Sequence, residues 1–262
     1  MPTPETPVRE IRSIVDDSGQ ASYVNRILIG TAVTGLVRVE WVAARYSQLI
    51  PMNWSQVQVN QAMSGYYPLR YQVADAQNLI VRAALEGDFE WIFLLEHDVV
   101  IPDNTLMALN EYMREAKYPV VSGLYYSRSR PSEPLVFRGR GNSVYWDWKP
   151  GDLVWCDGVP TGALLIHQSV LKLMWNESPE YAVNGQVTRR VFETPRRLVL
   201  GENGMHNAIQ GTSDLWWCDR IMKENVFERA GWKNFCPDPQ NPFLVDTSIF
   251  CRHINPNGEQ FP

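Results

Sequence analysis

The chain carries no excess of positive charge, no apolar run of membrane length and no close pair of cysteines, and each absence removes a class of function. With 24 Lys and Arg against 29 Asp and Glu, its net charge is -5, the wrong sign for a surface that binds nucleic acid through phosphates. No segment reaches the ~20 apolar residues of a membrane-spanning helix. Residues 1–20 hold Pro2, Pro4 and Pro7 where a secretory leader needs an apolar block. Cys156, Cys218, Cys236 and Cys251 form neither a C-x-x-C motif nor a short disulfide framework. Reduced thiols in a cytoplasmic setting are therefore expected, and zinc held by Cys218, Cys236, Cys251 and His253 is the less favoured alternative. No G-x-G-x-x-G or G-x-x-x-x-G-K-[ST] follows the first apolar strand, which argues against dinucleotide and P-loop sites.

What is present is a chain of 262 residues, 45% hydrophobic, long enough to bury a full core. Residues 1–22 read as a flexible polar arm and residues 23–262 as one α/β domain. Its most informative stretch is residues 89–102. Trp91, Ile92, Phe93, Leu94 and Leu95 form an apolar run that ends abruptly in Glu96, His97 and Asp98. Such a run fits a strand covered on both faces. Ligands of open α/β sheets collect beyond the carboxyl ends of their strands, where these acids fall. Two carboxylates one residue apart can hold a divalent cation, and the cation a diphosphate. A plain polar turn is the competing reading of the triplet alone.

Upstream, Arg26–Gly30 reads as a buried strand leading into the small residues Thr31 and Ala32, which let a nucleotide approach the backbone. Residues 37–49 read as helical and stop at Pro51. Val57 and Val59 open an expected second strand, and residues 71–85 a helix with Asp75 and Asn78 one turn apart. Downstream, residues 103–118 read as a helix, 120–126 as a strand, 153–166 as strand, glycine turn and strand, and 214–225 as a helix with Asp214 in its first turn. Arg128, Arg130, Arg138 and Arg140 lie in a loop and could meet phosphate. Residues 184–210, with Gly185, Gly201 and Gly204, read as a long mobile loop of the kind that forms lids.

In this order the features resemble a GT-A glycosyltransferase of the family 2 kind. The residues that carry the likeness are Ile27–Gly30, Asp75 and Asn78, Glu96-His97-Asp98, Val120–Tyr126, Thr161–Ile166, Ser213-Asp214-Leu215 with Cys218-Asp219-Arg220, and His253. The resemblance implies a Rossmann-like fold with a mostly parallel central sheet flanked by helices. It also implies a UDP- or GDP-sugar donor and a saccharide or other hydroxyl acceptor. Mn²⁺ (or Mg²⁺) would be held by Asp98 and His253 with Glu96. Thr31, Ala32, Asp75, Asn78, Glu96, His97, Gly162 and Ala163 would surround the donor, Asp214 would act as general base, and Trp216 and Trp217 could stack on the acceptor, with at least one of them expected to face the core. The chain departs from the family twice: Glu96 stands where the triplet commonly begins with Asp, and Ser213 precedes Asp214 where Glu is common. A retaining enzyme of the same fold, a sugar nucleotidyltransferase and a non-catalytic sugar-binding module stay open as alternatives.

Overall fold

Fully apolar strands decide the architecture. Ile27–Gly30, Trp91–Leu95 and Val120–Leu124 are buried at every position, so both faces of their sheet must be covered. The computed structural model describes residues 14–15, 21–22, 27–139, 143–200 and 205–262. Within these, six strands form a central sheet in the order Ile27–Gly30, Trp91–Leu95, Ala163–His167, Val120–Leu124, Phe243–Phe250, Leu153–Cys156.

Two neighbouring pairs are parallel, Ile27–Gly30 with Trp91–Leu95 and Val120–Leu124 with Phe243–Phe250. The other three are antiparallel. The sheet is therefore mixed, which corrects the mostly parallel sheet expected from the sequence. The reason is that Ala163–His167 is threaded between two parallel strands in the reverse sense. Its run of Ala-Leu-Leu-Ile reads the same in either direction, so burial alone could not reveal its polarity.

Side-chain alternation splits the core into two layers. Leu28, Ile92, Leu94, Leu164, Ile166 and Val245 face one side with Ile80, Leu171 and Trp217, which come from helices Val73–Glu86, Gln168–Glu177 and Ser213–Lys223. Ile27, Ile29, Trp91, Phe93, Leu165 and Leu244 face the other with Trp41, Leu106 and Met113, from helices Val39–Tyr46 and Thr105–Glu115. Burying a large apolar side chain of this kind contributes ~1.5–3 kcal/mol. Gly30 permits the closest crossing, since a Cβ there would lie 2.2 Å from the Ile80 side chain.

The strand directions bring the carboxyl ends of Ile27–Gly30, Trp91–Leu95, Val120–Leu124 and Phe243–Phe250 to one edge, together with the amino end of Ala163–His167. A small second sheet lies there. Val99–Val100 pairs antiparallel with Arg252–Ile254, which pairs in turn with Gln260–Phe261. That register sets His253 opposite Val99, next to Asp98.

Two local expectations are corrected. Val57 and Val59 belong to a helix, Gln56–Ser64, because Ser55 and Gln58 form a reciprocal capping box that starts one. The described part of residues 184–210 is not an irregular loop. Glu180–Val183 and Gln186–Arg189 form a hairpin, as do Arg196–Leu200 and His206–Gln210. Asn184 and Gly185, at φ 48° and 76°, supply the two-residue turn that suits the first. Gly201 and Gly204 lie outside the described residues, as does most of the arm. Ile14–Val15 and Ala21–Ser22 within the arm form an antiparallel pair. Among the described residues no helix is long and apolar enough to cross a membrane.

Candidate functional site

The acid-bearing strand ends at Leu95, and the next three residues leave the sheet as a short turn closed by Val99 N–H donating to the Glu96 carbonyl at 3.1 Å. Glu96 is pinned at both backbone groups. Its N–H donates to Gly162 O at 3.0 Å, and its carbonyl accepts from Trp41 Nε1 at 2.8 Å. Asp98 is fixed by its carbonyl, which accepts from Ile254 N–H at 2.8 Å. His253 follows from the strand pairing, and its Nδ1 hydrogen bonds the Tyr126 carbonyl, leaving Nε2 for the cluster. The Tyr125 ring meets the imidazole edge-on with centroids 4.8 Å apart.

The outcome is one ligand atom each from Glu96, Asp98 and His253, all within 4.8 Å of one another. Two carboxylates and an imidazole form a hard-to-borderline donor set that fits Mn²⁺ or another divalent cation. A backbone carbonyl orienting the imidazole is the usual support for a ligating histidine. Of the thiols in the zinc alternative, Cys218 and Cys251 are buried in opposite layers of the core and Cys236 is half-buried, and among the described residues His253 clusters with Glu96 and Asp98 and with no cysteine.

Electrostatics set this edge apart. Burial, then the neighbouring Asp98 and Asp214 carboxylates, push the Glu96 carboxyl up to about 8, against weaker opposing pulls from Thr161 and Arg128. Burial raises Asp214 too, although Thr212 and the Leu215 N–H, at 2.8 Å, favour its ionised form. A place in the first turn of a helix favours the ionised carboxylate, and desolvation outweighs it here. Burial lowers His253, keeping the imidazole neutral and free to ligate. Asp214 thus belongs to the same electrostatic neighbourhood as the triad, across from it on the first turn of Ser213–Lys223.

The remaining donor-side candidates divide. Thr31 is buried at the end of the first strand, and its Oγ1 has no protein partner among the described residues. His97 hydrogen bonds the Ala32 carbonyl at 3.1 Å and lies 3.4 Å from Thr34 Oγ1, so it tethers that segment and lies outside the triad. Asn78 is buried and fully engaged: its amide donates to Tyr181 Oη and the Phe192 carbonyl, each at 2.9 Å, and accepts from Phe192 N–H at 2.8 Å. Asp75 accepts from Tyr181 Oη at 2.7 Å. Both therefore hold the Glu180–Arg189 hairpin and its exit against their helix.

Gly162 and Ala163 both pack against the protein itself. A Cβ on Gly162 would lie 2.1 Å from Tyr125 Oη, which accepts the Gly162 N–H at 2.7 Å, so the space is taken by the protein's own tyrosine. Ala163 is buried in the core. Trp217 is buried and stacked on Phe192 at 5.3 Å, whereas Trp216 is half-buried beneath the Arg220 guanidinium at 5.7 Å. Neither is a free acceptor platform.

Residues that sequence reasoning missed complete the arrangement. Gln77 Nε2 donates to Thr161 Oγ1 at 2.9 Å, and Thr161 donates to Glu96 Oε1 at 3.3 Å, a relay that aims the carboxyl. Of the loop arginines, Arg128 pairs with Asp98 at 2.9 Å, Arg130 with Glu259, and Arg138 lies over the Tyr145 ring at 4.8 Å. Arg140 lies outside the described residues. Thr161 stands in the sequence only as the start of Thr161–Ile166, and nothing there marks its hydroxyl as a partner of Glu96.

A scan of the chain against protein-family models found no match, and neither did a search of curated proteins. Solved structures similar to it include that of A197 from STIV, at 15% identity over 90% of this chain and 93% of that one, with a TM-score of 0.49. Another is a putative glucose-1-phosphate thymidylyltransferase from Bacillus anthracis, at 12% identity over 58% of this chain and 76% of that one, with a TM-score of 0.31. At these scores the reading of the site rests on the chain's own geometry.

Proposed function

We propose that the chain is a metal-dependent glycosyltransferase of GT-A type, moving a sugar from a nucleotide-diphosphate sugar to a hydroxyl acceptor. The observation that carries this reading is the convergence of Glu96, Asp98 and His253 at the carboxyl edge of the sheet with Asp214 beside them. Glu96, Asp98 and His253 would hold Mn²⁺ (or Mg²⁺), which when bound supplies positive charge to a diphosphate leaving group. The chain's residues do the rest. Tyr126 fixes the imidazole through its carbonyl, Thr161 and Trp41 fix Glu96, and the buried hydroxyl of Thr31 offers a hydrogen bond to the nucleotide.

Asp214 takes the proton of the acceptor hydroxyl. A carboxyl raised by burial is a stronger base than an exposed one, and its position on a helix start keeps it from moving. This role implies inversion at the anomeric carbon. The test is incubation of the chain with UDP- and GDP-sugars, Mn²⁺ and simple saccharides, reading released nucleotide and the first-formed anomer by NMR. Nucleotide release that needs Mn²⁺ and an inverted product support the reading. A retained anomer would remove Asp214 as base while keeping the transferase, and no turnover of any donor would remove the transferase.

A further inference from the structure

Arg128 stands where a cation is wanted. Its Nη1 lies 2.9 Å from Asp98 Oδ2, and with the Arg128 side chain 43% exposed and that of Asp98 only 18% exposed, the arginine approaches the cluster from the solvent side. The main chain around it is tied down. Ser127 N–H donates to the Glu133 carbonyl at 2.8 Å, Ser132 Oγ donates to the Ser127 carbonyl at 2.5 Å, Tyr126 N–H donates to the Pro262 carbonyl at 3.1 Å, and Arg130 pairs with Glu259. The side chain can therefore leave Asp98 by rotating about its own bonds, with no loop movement. It is also the basic group that acts on the triad, favouring ionised Glu96 and disfavouring protonated His253.

We infer that Arg128 is a resident counter-ion that a divalent cation must displace from Asp98, and that the freed guanidinium then grips the diphosphate. The inference rests on the transferase reading and deepens it. The guanidinium and a divalent cation would set two like positive charges against one carboxylate, and their mutual repulsion makes them compete for Asp98. Once displaced, Arg128 is left beside the metal with its fork of donors open, a geometry that suits two phosphate oxygens. Its charge then opposes the bare metal and favours the metal with its anionic ligand. Binding would thus be made interdependent: the cation is held weakly until a diphosphate accepts the arginine.

Opposite signs follow for two affinities of one variant, which a residue that merely braces the loop would not produce. Mn²⁺ binding is read by the loss of its free EPR signal, and UDP and GDP binding by calorimetry at saturating Mn²⁺, for the full chain, Arg128→Gln and Arg128→Lys. Arg128→Gln should bind Mn²⁺ alone about threefold or more tighter, because a competing positive charge is gone. It should bind the nucleotide diphosphate about tenfold more weakly, because the fork is gone. Arg128→Lys should keep the weak Mn²⁺ binding of the natural chain. Unchanged or weaker Mn²⁺ binding by Arg128→Gln would overturn the inference and leave the cation site standing, as would undiminished nucleotide binding. No Mn²⁺ binding by the natural chain would overturn the functional reading and the inference together.

Discussion

Two groups of polar residues in this molecule are both largely hidden, and they are used in opposite ways. On the helix Val73–Glu86, Asn78 and Asp75 meet Tyr181 and the backbone of Phe192, so that the Asn78 amide is spent on the protein. At the strand ends, Glu96, Asp98 and His253 crowd together with Asp214 nearby, and burial plus mutual repulsion leave Glu96 reluctant to ionise. Satisfied polar groups stabilise a fold; like charges gathered without enough partners weaken it and persist where a ligand completes them. The contrast is the one on which the proposed function rests, with structure given to the first group and chemistry to the second.

The comparison breaks first on activity. Asp214→Asn should lower turnover by about 10²- to 10⁴-fold, the range for loss of a positioned base, with Mn²⁺ affinity and melting temperature close to those of the natural chain. Steady-state kinetics beside a thermal melt decide it, and near-normal turnover would reduce Asp214 to a helix-start residue. Next comes the cation: Asp98→Asn or His253→Ala should weaken Mn²⁺ binding by about 10²-fold, as for loss of a primary or closely supporting ligand. Unchanged affinity in both would remove the site.

Asn78→Leu should do the reverse. It leaves the Phe192 N–H and carbonyl without their partner, while Tyr181 keeps Asp75, and should cost about 3 kcal/mol of stability, at ~1–3 kcal/mol for each unpaired buried group. Denaturant unfolding measures the loss, while Mn²⁺ affinity should not change. A fall in metal affinity matching the fall in stability would erase the distinction between the two groups.

The acid titration gives the smallest effect. With Glu96 raised from 4.5 to about 8, it must shed a proton to ligate, so Mn²⁺ affinity should rise by about tenfold per pH unit on approaching 8 and then level off. The metal-free chain should show the opposite trend. A group whose folded value is raised contributes stability at low pH that is lost as pH rises through about 8. Glu96→Gln should flatten both profiles, and a pH-independent Mn²⁺ affinity in the natural chain would contradict the account.

How much of this was legible in the sequence depends on what each pattern encodes. Apolar continuity at Trp91–Leu95 announced a strand buried on both faces, and the break at Glu96 announced where the chain leaves the sheet. The helices at Val73–Glu86, Thr105–Glu115 and Ser213–Lys223 followed from spacing and punctuation. Strand direction was not legible, because a buried apolar run has no polarity. The helix at Gln56–Ser64 was signalled by Ser55 and Gln58, but the alternating Val57 and Val59 imitated a strand. Asn184-Gly185 was a hairpin signal overlooked beneath the glycines around it.

In the site, Glu96 and Asp98 share one triplet, while His253 is distant in sequence and was named only through the family resemblance; the pairing of Val99–Val100 with Arg252–Ile254 brings it to them, and strands of two and three residues do not announce that by pattern. Asn78 and Gly162 are ambiguous for a common reason. An amide or a glycine can serve a ligand or the protein's own packing, and Tyr181 and Tyr125, which decide between them, come from distant segments.

The most direct measurement is anomalous diffraction at the manganese edge from crystals of the chain grown or soaked with Mn²⁺ and UDP. The account predicts a single strong peak roughly 2.1 Å, the span of a tight oxygen–cation contact, from side-chain atoms of Glu96, Asp98 and His253. A peak elsewhere with none among these three residues, at a concentration that saturates binding in solution, would contradict it.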